Sequence, residues 1–374
     1  MRVEYVTSNI AIAEGAMASG LKFFAGYPIT PTSDILEYLA EELPKKGGVV
    51  IQLEDEIASI NAIIGASWAG AKAMTATSGP GFSLMVEALS FAIITETPIV
   101  VVYVMRAGPS TGVPTRSCQY DVLQVRYGSH GNYEIPVLTP WSAQEAFDLT
   151  VKAFNISEAL RVPVIILSDA MLAHTWEKVI IKNPSELKII NRKKPKMPPH
   201  EYKPFKPDED LVPPMACFGE GYRVMVESLT HDERGYYSPT TEVQERMIRR
   251  LVEKVKYNAH LILDYDTYLI NDAEYLFYAY GSTARSVYAL VKELRKEGIR
   301  AGLYRPRALW PFGDEDLRKV AKNAKKVFVV ENNVGLIYRE VARVLRNKDV
   351  IPVGIIDLDV PSPDRIREVI NEWL

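Results

Sequence analysis

Short apolar runs alternate along the chain with longer stretches whose apolar residues return every third or fourth position. Lys22–Ala25, Val49–Leu53, Ala73–Thr77, Ile99–Val104 and Val164–Ser168 are runs of strand length. Between them, Ser59–Gly70 and Ser83–Thr95 carry helical spacing. Strands alternating with helices of this length predict a parallel α/β sheet. The theme returns with Tyr275–Ala279, Ala301–Tyr304, Val327–Val330 and Ile351–Ile356 as predicted strands. In between, the periodicity stops. Seven prolines fall between Pro195 and Pro214, which reads as an extended linker ordered by what it lies against. A helix is then predicted at Thr241–Tyr257, where Val243, Met247, Leu251 and Val255 recur every fourth residue. The expected division is one α/β domain over 1–190, a Pro-rich linker plus helix over 191–258, and a second α/β domain over 259–374. No sequence repeat relates the two domains.

Composition narrows the function classes. A net charge of −3 implies no attraction to nucleic acid or anionic membrane. The longest apolar run, Ile99–Met105, is far short of a membrane span. The start, M-R-V-E-Y-V-T-S-N-I, has no apolar signal region. A soluble, cytoplasmic protein is the expectation. Cys118 and Cys217 form no C-x-x-C pair, so no iron–sulfur cluster or cysteine-rich zinc site is expected on this chain. His174, His200, His231 and His260 lack metal spacing and read as structural.

In an open parallel sheet, ligands bind outside the carboxyl ends of the strands. Four predicted strands end in chemically distinct stations. The first is followed by Y-P-I-T-P-T-S, with Thr30 between Ile29 and Pro31; the second by E-D-E, Glu54 to Glu56. The third is followed by S-G-P-G, Ser78 to Gly81; the fourth by Arg106 and A-G-P-S-T-G-V-P-T. A parallel sheet puts a hydroxyl, a carboxylate, a bare backbone and a guanidinium on one edge. Each has an ordinary structural reading as well. Prolines and glycines are turn residues, acidic residues favour a helix N-terminus, and an arginine suits a surface. Together they point to a site for a small organic acid, whose carboxylate matches the arginine fork, with a glutamate handling protons.

At these residues the chain resembles the alpha subunit of 2-oxoacid:ferredoxin oxidoreductases. The resemblance rests on G-Y-P-I-T-P-T-S (26–33), L-E-D-E-I-A-S-I-N-A-I-I-G-A-S-W-A-G-A from Leu53, T-S-G-P-G-F-S-L-M from Thr77, and R-A-G-P-S-T-G-V-P-T with Gln119 and Asp121. It continues through Y-G-S-H-G (127–131), A-Y-G-S-T-A-R-S (279–286), R-P-R-A-L-W-P-F (305–312) and V-V-E-N-N-V-G (329–335). It implies a thiamine pyrimidine-binding domain followed by a transketolase C-terminal-like domain. By resemblance, Thr30 lies beside the thiazolium and contacts substrate. Glu56 is the cofactor-activating residue, whose carboxyl bonds a pyrimidine nitrogen and favours the imino tautomer. Arg106 binds the 2-oxoacid carboxylate. Pro28, Ile29, Ser78 and Gly79 are expected against the cofactor, and Ser110 and Thr111 against the substrate.

The implied reaction is oxidative decarboxylation of a 2-oxoacid, with coenzyme A and ferredoxin as acceptors. The R-A-G-P-S-T-G-V-P-T motif (106–115) most resembles the 2-oxoglutarate branch, although Ala107 stands where that branch commonly has glycine. Pyruvate and branched-chain 2-oxoacids are the alternatives, and a non-catalytic assembly protein of the same fold is the rival class. No G-D-G with a downstream asparagine is found for diphosphate and Mg²⁺. The resemblance therefore assigns thiamine diphosphate to a site shared with a beta subunit, which brings Mg²⁺ and an iron–sulfur cluster. Separate gamma and delta subunits are expected. His130 either touches substrate or is structural, and Cys118 reads as an inert thiol. A-Y-G-S-T-A-R-S opens a helix that either binds an anion or serves assembly.

Overall fold

The computed structural model describes residues 1–374. Its larger sheet has seven strands in the spatial order Ala308–Trp310, Val137–Leu138, Val164–Asp169, Val100–Met105, Ala73–Thr77, Phe23–Gly26 and Val49–Gln52. All neighbours run parallel except Ala308–Trp310, an antiparallel edge contributed by the later part of the chain. A second sheet has five strands, in the order Asp349–Gly354, Lys326–Glu331, Tyr275–Tyr278, Ala301–Pro306 and antiparallel Tyr265–Tyr268. Arg2–Thr7 and Trp176–Ile181 form a separate antiparallel ribbon.

The central strand Val100–Met105 shows why its sequence is unbroken apolar. Side chains alternate faces along a strand. Val101, Tyr103 and Met105 enter one core, with Ile60, Ile63, Phe82 and Met85. Val100, Val102 and Val104 enter the other, with Ala11, Ile12, Ile35 and Phe147. A strand covered on both faces has no polar side.

The same two-faced packing creates a crevice. Helix Ser33–Glu42 buries Ile35, Leu36 and Leu39 on one face of the sheet as it leads from Phe23–Gly26 to the edge strand. Helix Glu56–Trp68 returns across the other face to Ala73–Thr77. The strand order therefore reverses at Phe23–Gly26, and the loops leaving its carboxyl end diverge.

The Pro-rich segment is held by what it lies against. Prolines offer carbonyls but no N–H. Buried Arg161 supplies the donors, with Nη1 reaching the carbonyl oxygens of Pro204 (2.9 Å), Pro213 (3.3 Å) and Pro214 (3.3 Å). Helix Thr241–Tyr257 docks through Met247, Leu251 and Val255 and through Glu96, which accepts from Arg250 and Lys254 (2.6 and 2.7 Å).

Gln119 is the polar centre of the contact between the two α/β parts. Its Nε2 donates to Tyr280 O (2.9 Å), and its Oε1 accepts from Thr283 Oγ1 (2.9 Å) and Asn332 N (3.0 Å). The start of helix Thr283–Lys296 meets a carboxylate from the first part: Ser282 N donates to Asp169 Oδ2 at 3.3 Å. That interior contact fits the assembly reading of A-Y-G-S-T-A-R-S.

Candidate active site

The four stations share one edge, because the strands that carry them are parallel. Asp55 caps helix Glu56–Trp68, its carboxylate accepting from Ala58 N at 2.7 Å. This fixes Glu56 as the first helical residue. Glu56 is 4 % exposed, and burial raises its pKa above the ordinary carboxylate value, with Asp55 adding to the shift and Arg106 opposing it. No side chain hydrogen-bonds its carboxyl group.

Glycine at position 81 makes room for that carboxyl. A methyl there would collide with Glu56 Oε1 and Thr77 Oγ1 and stand 2.6 Å from the Glu56 carboxyl carbon. Gly79 opens helix Gly79–Ile94. Ser78, before it, is fully buried, and its hydroxyl has no partner.

Arg106 is 6 % exposed and sits where strand Val100–Met105 ends. Its Nη1 donates to the Thr30 carbonyl at 2.7 Å, joining the first and fourth stations. Nε is buried without a partner, and Nη2 makes no protein hydrogen bond. One edge of the fork therefore stays unused. Burial lowers its pKa, while Tyr103, Asp121 and Glu56 counter the shift.

Beside Arg106 lies a cleft of about 240 Å³ whose lining, including Gly79, Ser83, Ser110, Asp121 and Gln124, contains no apolar side chain except prolines. Tyr103 donates to Gln124 Oε1 (2.8 Å), and Gln124 Nε2 to Ser83 Oγ (2.8 Å). Burial pushes Asp121 up to about 6, against the Tyr103 hydroxyl and Arg106, which favour its charged form.

The loop beyond Arg106 is built rather than slack. Ala107 and Val113 form a β-bridge, and a side chain at Gly112 (φ 56°) would run into the Ala107 carbonyl. Arg116 pairs with Asp359 (2.9 Å), and Ser117 N donates to Leu358 O (3.1 Å), so the second α/β part holds the loop.

Among the residues expected from sequence, Thr30, Glu56, Ser78, Gly79, Arg106 and Ser110 gather at this edge. Pro28 and Thr111 are exposed on its loops, Ile29 is half-buried, and none of the three lines the cleft. His130 lies elsewhere, on an exposed loop over a groove with Glu87, Ser90 and Phe91. Cys118 is buried, donates to the Arg106 carbonyl, and has its pKa pushed up to about 12 by burial, consistent with an inert thiol. Sequence reasoning gave no role to Gly81 or Asp121, and it passed over Asn9.

A buried carboxyl with no side-chain partner, an arginine with a free edge and an apolar-poor cleft thus share one edge of the sheet at its switch point. Comparison with known proteins specifies the class. Residues 14–250 match the family model for pyruvate flavodoxin/ferredoxin oxidoreductase, thiamine diphosphate-binding, and residues 273–358 match the pyruvate:ferredoxin oxidoreductase core domain II. The chain belongs to this oxidoreductase family. A 2-oxoglutarate synthase subunit KorA from Methanocaldococcus jannaschii is 48 % identical over 99 % of this chain and 100 % of its own length. Another, from Archaeoglobus fulgidus, is 41 % identical over 99 % of both. A ketoisovalerate oxidoreductase subunit VorB from Methanothermobacter thermautotrophicus is 34 % identical over 94 % of this chain and 92 % of its own. The solved 2-oxoglutarate:ferredoxin oxidoreductase from Magnetococcus marinus superposes with a TM-score of 0.92 at 34 % identity, over 99 % of this chain. This chain spans 65 % of that one. The alpha-subunit resemblance and the paired α/β architecture expected from sequence both hold. No helix is long and apolar enough to cross a membrane.

Proposed function

We propose that this chain is the catalytic alpha subunit of a thiamine diphosphate-dependent 2-oxoglutarate:ferredoxin oxidoreductase. The complex converts 2-oxoglutarate, coenzyme A and oxidised ferredoxin to succinyl-CoA, CO₂ and reduced ferredoxin. The observation that carries this reading is the Glu56 carboxyl, buried with no side-chain partner on the same edge as Arg106 and Thr30. The branch is supported by relatives named for 2-oxoglutarate at 41 to 49 % identity, against 34 % for those named for ketoisovalerate.

The residues present fit the pyrimidine half of the cofactor. Glu56 is buried with no side-chain partner on its carboxyl, the buried Ser78 hydroxyl has no partner, and Gly79 and Gly81 leave bare backbone beside them. When bound, thiamine diphosphate supplies the carbon nucleophile and the electron sink for decarboxylation. Glu56 would hold a proton at a pyrimidine ring nitrogen, and burial raises its pKa in the direction that favours the protonated carboxyl. Arg106 would take the substrate carboxylate on its free Nε–Nη2 edge. Thr30, tied to Arg106 through its carbonyl, would present its hydroxyl to the keto group.

In this reading residues 1–190 are the pyrimidine-binding domain, 191–258 the linker and helix, and 259–374 the transketolase C-terminal-like domain. A beta subunit completes the site with diphosphate contacts, Mg²⁺ and an iron–sulfur cluster, gamma and delta subunits are separate chains, and the complex works in the cytoplasm. The test is a 2-oxoacid panel with viologen reduction on the complex carrying this chain. 2-Oxoglutarate should give the highest kcat/KM. A preference for pyruvate or 2-oxoisovalerate would move the substrate, and no activity with any 2-oxoacid would favour an assembly protein.

A further inference from the structure

We propose that Asn9 is a positioning residue for the substrate-facing turn. It acts at the carbonyl next to the one that Arg106 holds, and the proposal rests on the reading of Thr30 as a substrate contact.

The Thr30 hydroxyl makes no protein hydrogen bond, so its place depends on the backbone that carries it. That backbone is held at two consecutive carbonyls. Arg106 Nη1 donates to Thr30 O and Asn9 Nδ2 to Pro31 O, each at 2.7 Å. The turn has little of its own to hold it. Pro28 and Pro31 have no N–H, and the local bonds are those from Thr32 N and Oγ1 to Ile29 O, both 2.8 Å.

Asn9 is fully buried in the first turn of helix Ser8–Ala18. The second hydrogen of its amide goes to Asp34 Oδ1 at 2.6 Å, at the start of the helix that follows the turn. A carbonyl can only accept, so the amide nitrogen has to face Pro31. The amide oxygen is left buried without a partner. An unmatched buried acceptor opposes stability, and the rest of this helix, I-A-I-A-E-G-A-M-A, is largely apolar. An amide there is explained by what its nitrogen holds.

The mount is rigid. Helix Ser8–Ala18 packs closely on helix Ala143–Leu160, where a side chain at Gly15 would come within 2.7 Å of the Phe147 carbonyl. Asn9 thus transmits a fixed position to the turn, while Asp34 fixes the amide's orientation.

The test uses the assembled complex. Asn9→Ala should lower kcat/KM for 2-oxoglutarate by about 5- to 30-fold, with the KM for coenzyme A unchanged. Asp34→Ala, which leaves the Pro31 contact in place, should cost less than about a third of that loss. Thr30→Val should lower kcat/KM in the wild-type background and add little in Asn9→Ala, because the residue it alters is no longer in place. Asn9→Leu, which fills the space without a donor, gives the same contrasts should Asn9→Ala fail to assemble. Additive losses would overturn the proposal, as would Asp34→Ala matching Asn9→Ala, or a parallel rise in the KM for coenzyme A. A Thr30→Val complex with normal kcat/KM would remove Thr30 from the substrate, and the proposal with it.

Discussion

The carboxyl of Glu56 occupies the space in which a side chain at Gly81 would begin. The two residues arrive from different strand ends. Glu56 starts the helix after Val49–Gln52, and Gly81 lies in the first turn of the helix after Ala73–Thr77. Gly81→Ala should displace the Glu56 carboxyl or its helix. Overpacking of this kind costs about 1–3 kcal/mol, and activity of the complex should fall much further than the melting temperature. Thermal melts beside turnover numbers check this, and full activity with a methyl at position 81 would place Glu56 outside the reacting centre.

Arg106→Lys should hurt more than its retained charge suggests. The guanidinium uses one nitrogen on Thr30 O and leaves another edge without a protein partner, and an ammonium group cannot hold the carbonyl and also present a planar pair of donors to a carboxylate. The KM for 2-oxoacid should rise, by a free energy of about 1.5–3 kcal/mol for a lost charged hydrogen bond, while the KM for coenzyme A stays put. A change in coenzyme A affinity instead would assign Arg106 to another subsite.

Asp121 sets a pH dependence whose sign can be worked out. Burial raises its pKa from 3.8 to about 6, so the folded chain holds this proton more tightly than the unfolded chain does. Stability from this group therefore falls as pH rises from 3.8 through about 6. Asp121→Asn should gain stability relative to wild type at pH 7.5, by about 1–3 kcal/mol at most, and less at pH 5. Urea unfolding at the two pH values measures the difference, and a gap independent of pH would contradict the burial assigned to Asp121.

Glu96 anchors the linker helix. It is fully buried, accepts from Arg250 and Lys254, and its backbone carbonyl accepts from Arg161 Nε at 3.1 Å. These cations hold its carboxyl well below the usual carboxylate range despite the burial. Glu96→Gln keeps the shape and leaves cations without a counter-charge. A loss of about 3–5 kcal/mol is expected, read by denaturant unfolding. A loss below about 1 kcal/mol, the range of exposed pairs, would mean the cluster is solvated.

Some of this was legible in the sequence. Ala73–Thr77 and Thr241–Tyr257 are found with the bounds their apolar spacing predicts. Asp349–Gly354 begins two residues before the predicted Ile351, because its pairing follows Lys326–Glu331 rather than its own hydrophobicity. Val137–Leu138 and Ala308–Trp310 are too short to show a period, and tertiary pairing alone makes them strands. The ribbon Arg2–Thr7 with Trp176–Ile181 joins segments remote in sequence, and alternation within each is too mixed to stand out. That Thr30, Glu56 and Arg106 share one edge could be read from their places after strands. Gly81 could not, since its need arises from a carboxyl brought by another helix. Asn9 could not either, because nothing in its spacing points to a turn more than twenty residues on.

The central claim, that Glu56 is the proton-handling group of a thiamine site, is tested most directly by exchange of the cofactor C2 proton in the assembled complex. Glu56→Gln keeps the shape and hydrogen-bonding length of the side chain but cannot gain or lose a proton. Exchange followed by NMR after acid quench should slow by at least ~10²-fold, the low end for removing an acid–base group, with subunit composition and bound cofactor unchanged. Exchange at the wild-type rate in that variant would contradict the assignment.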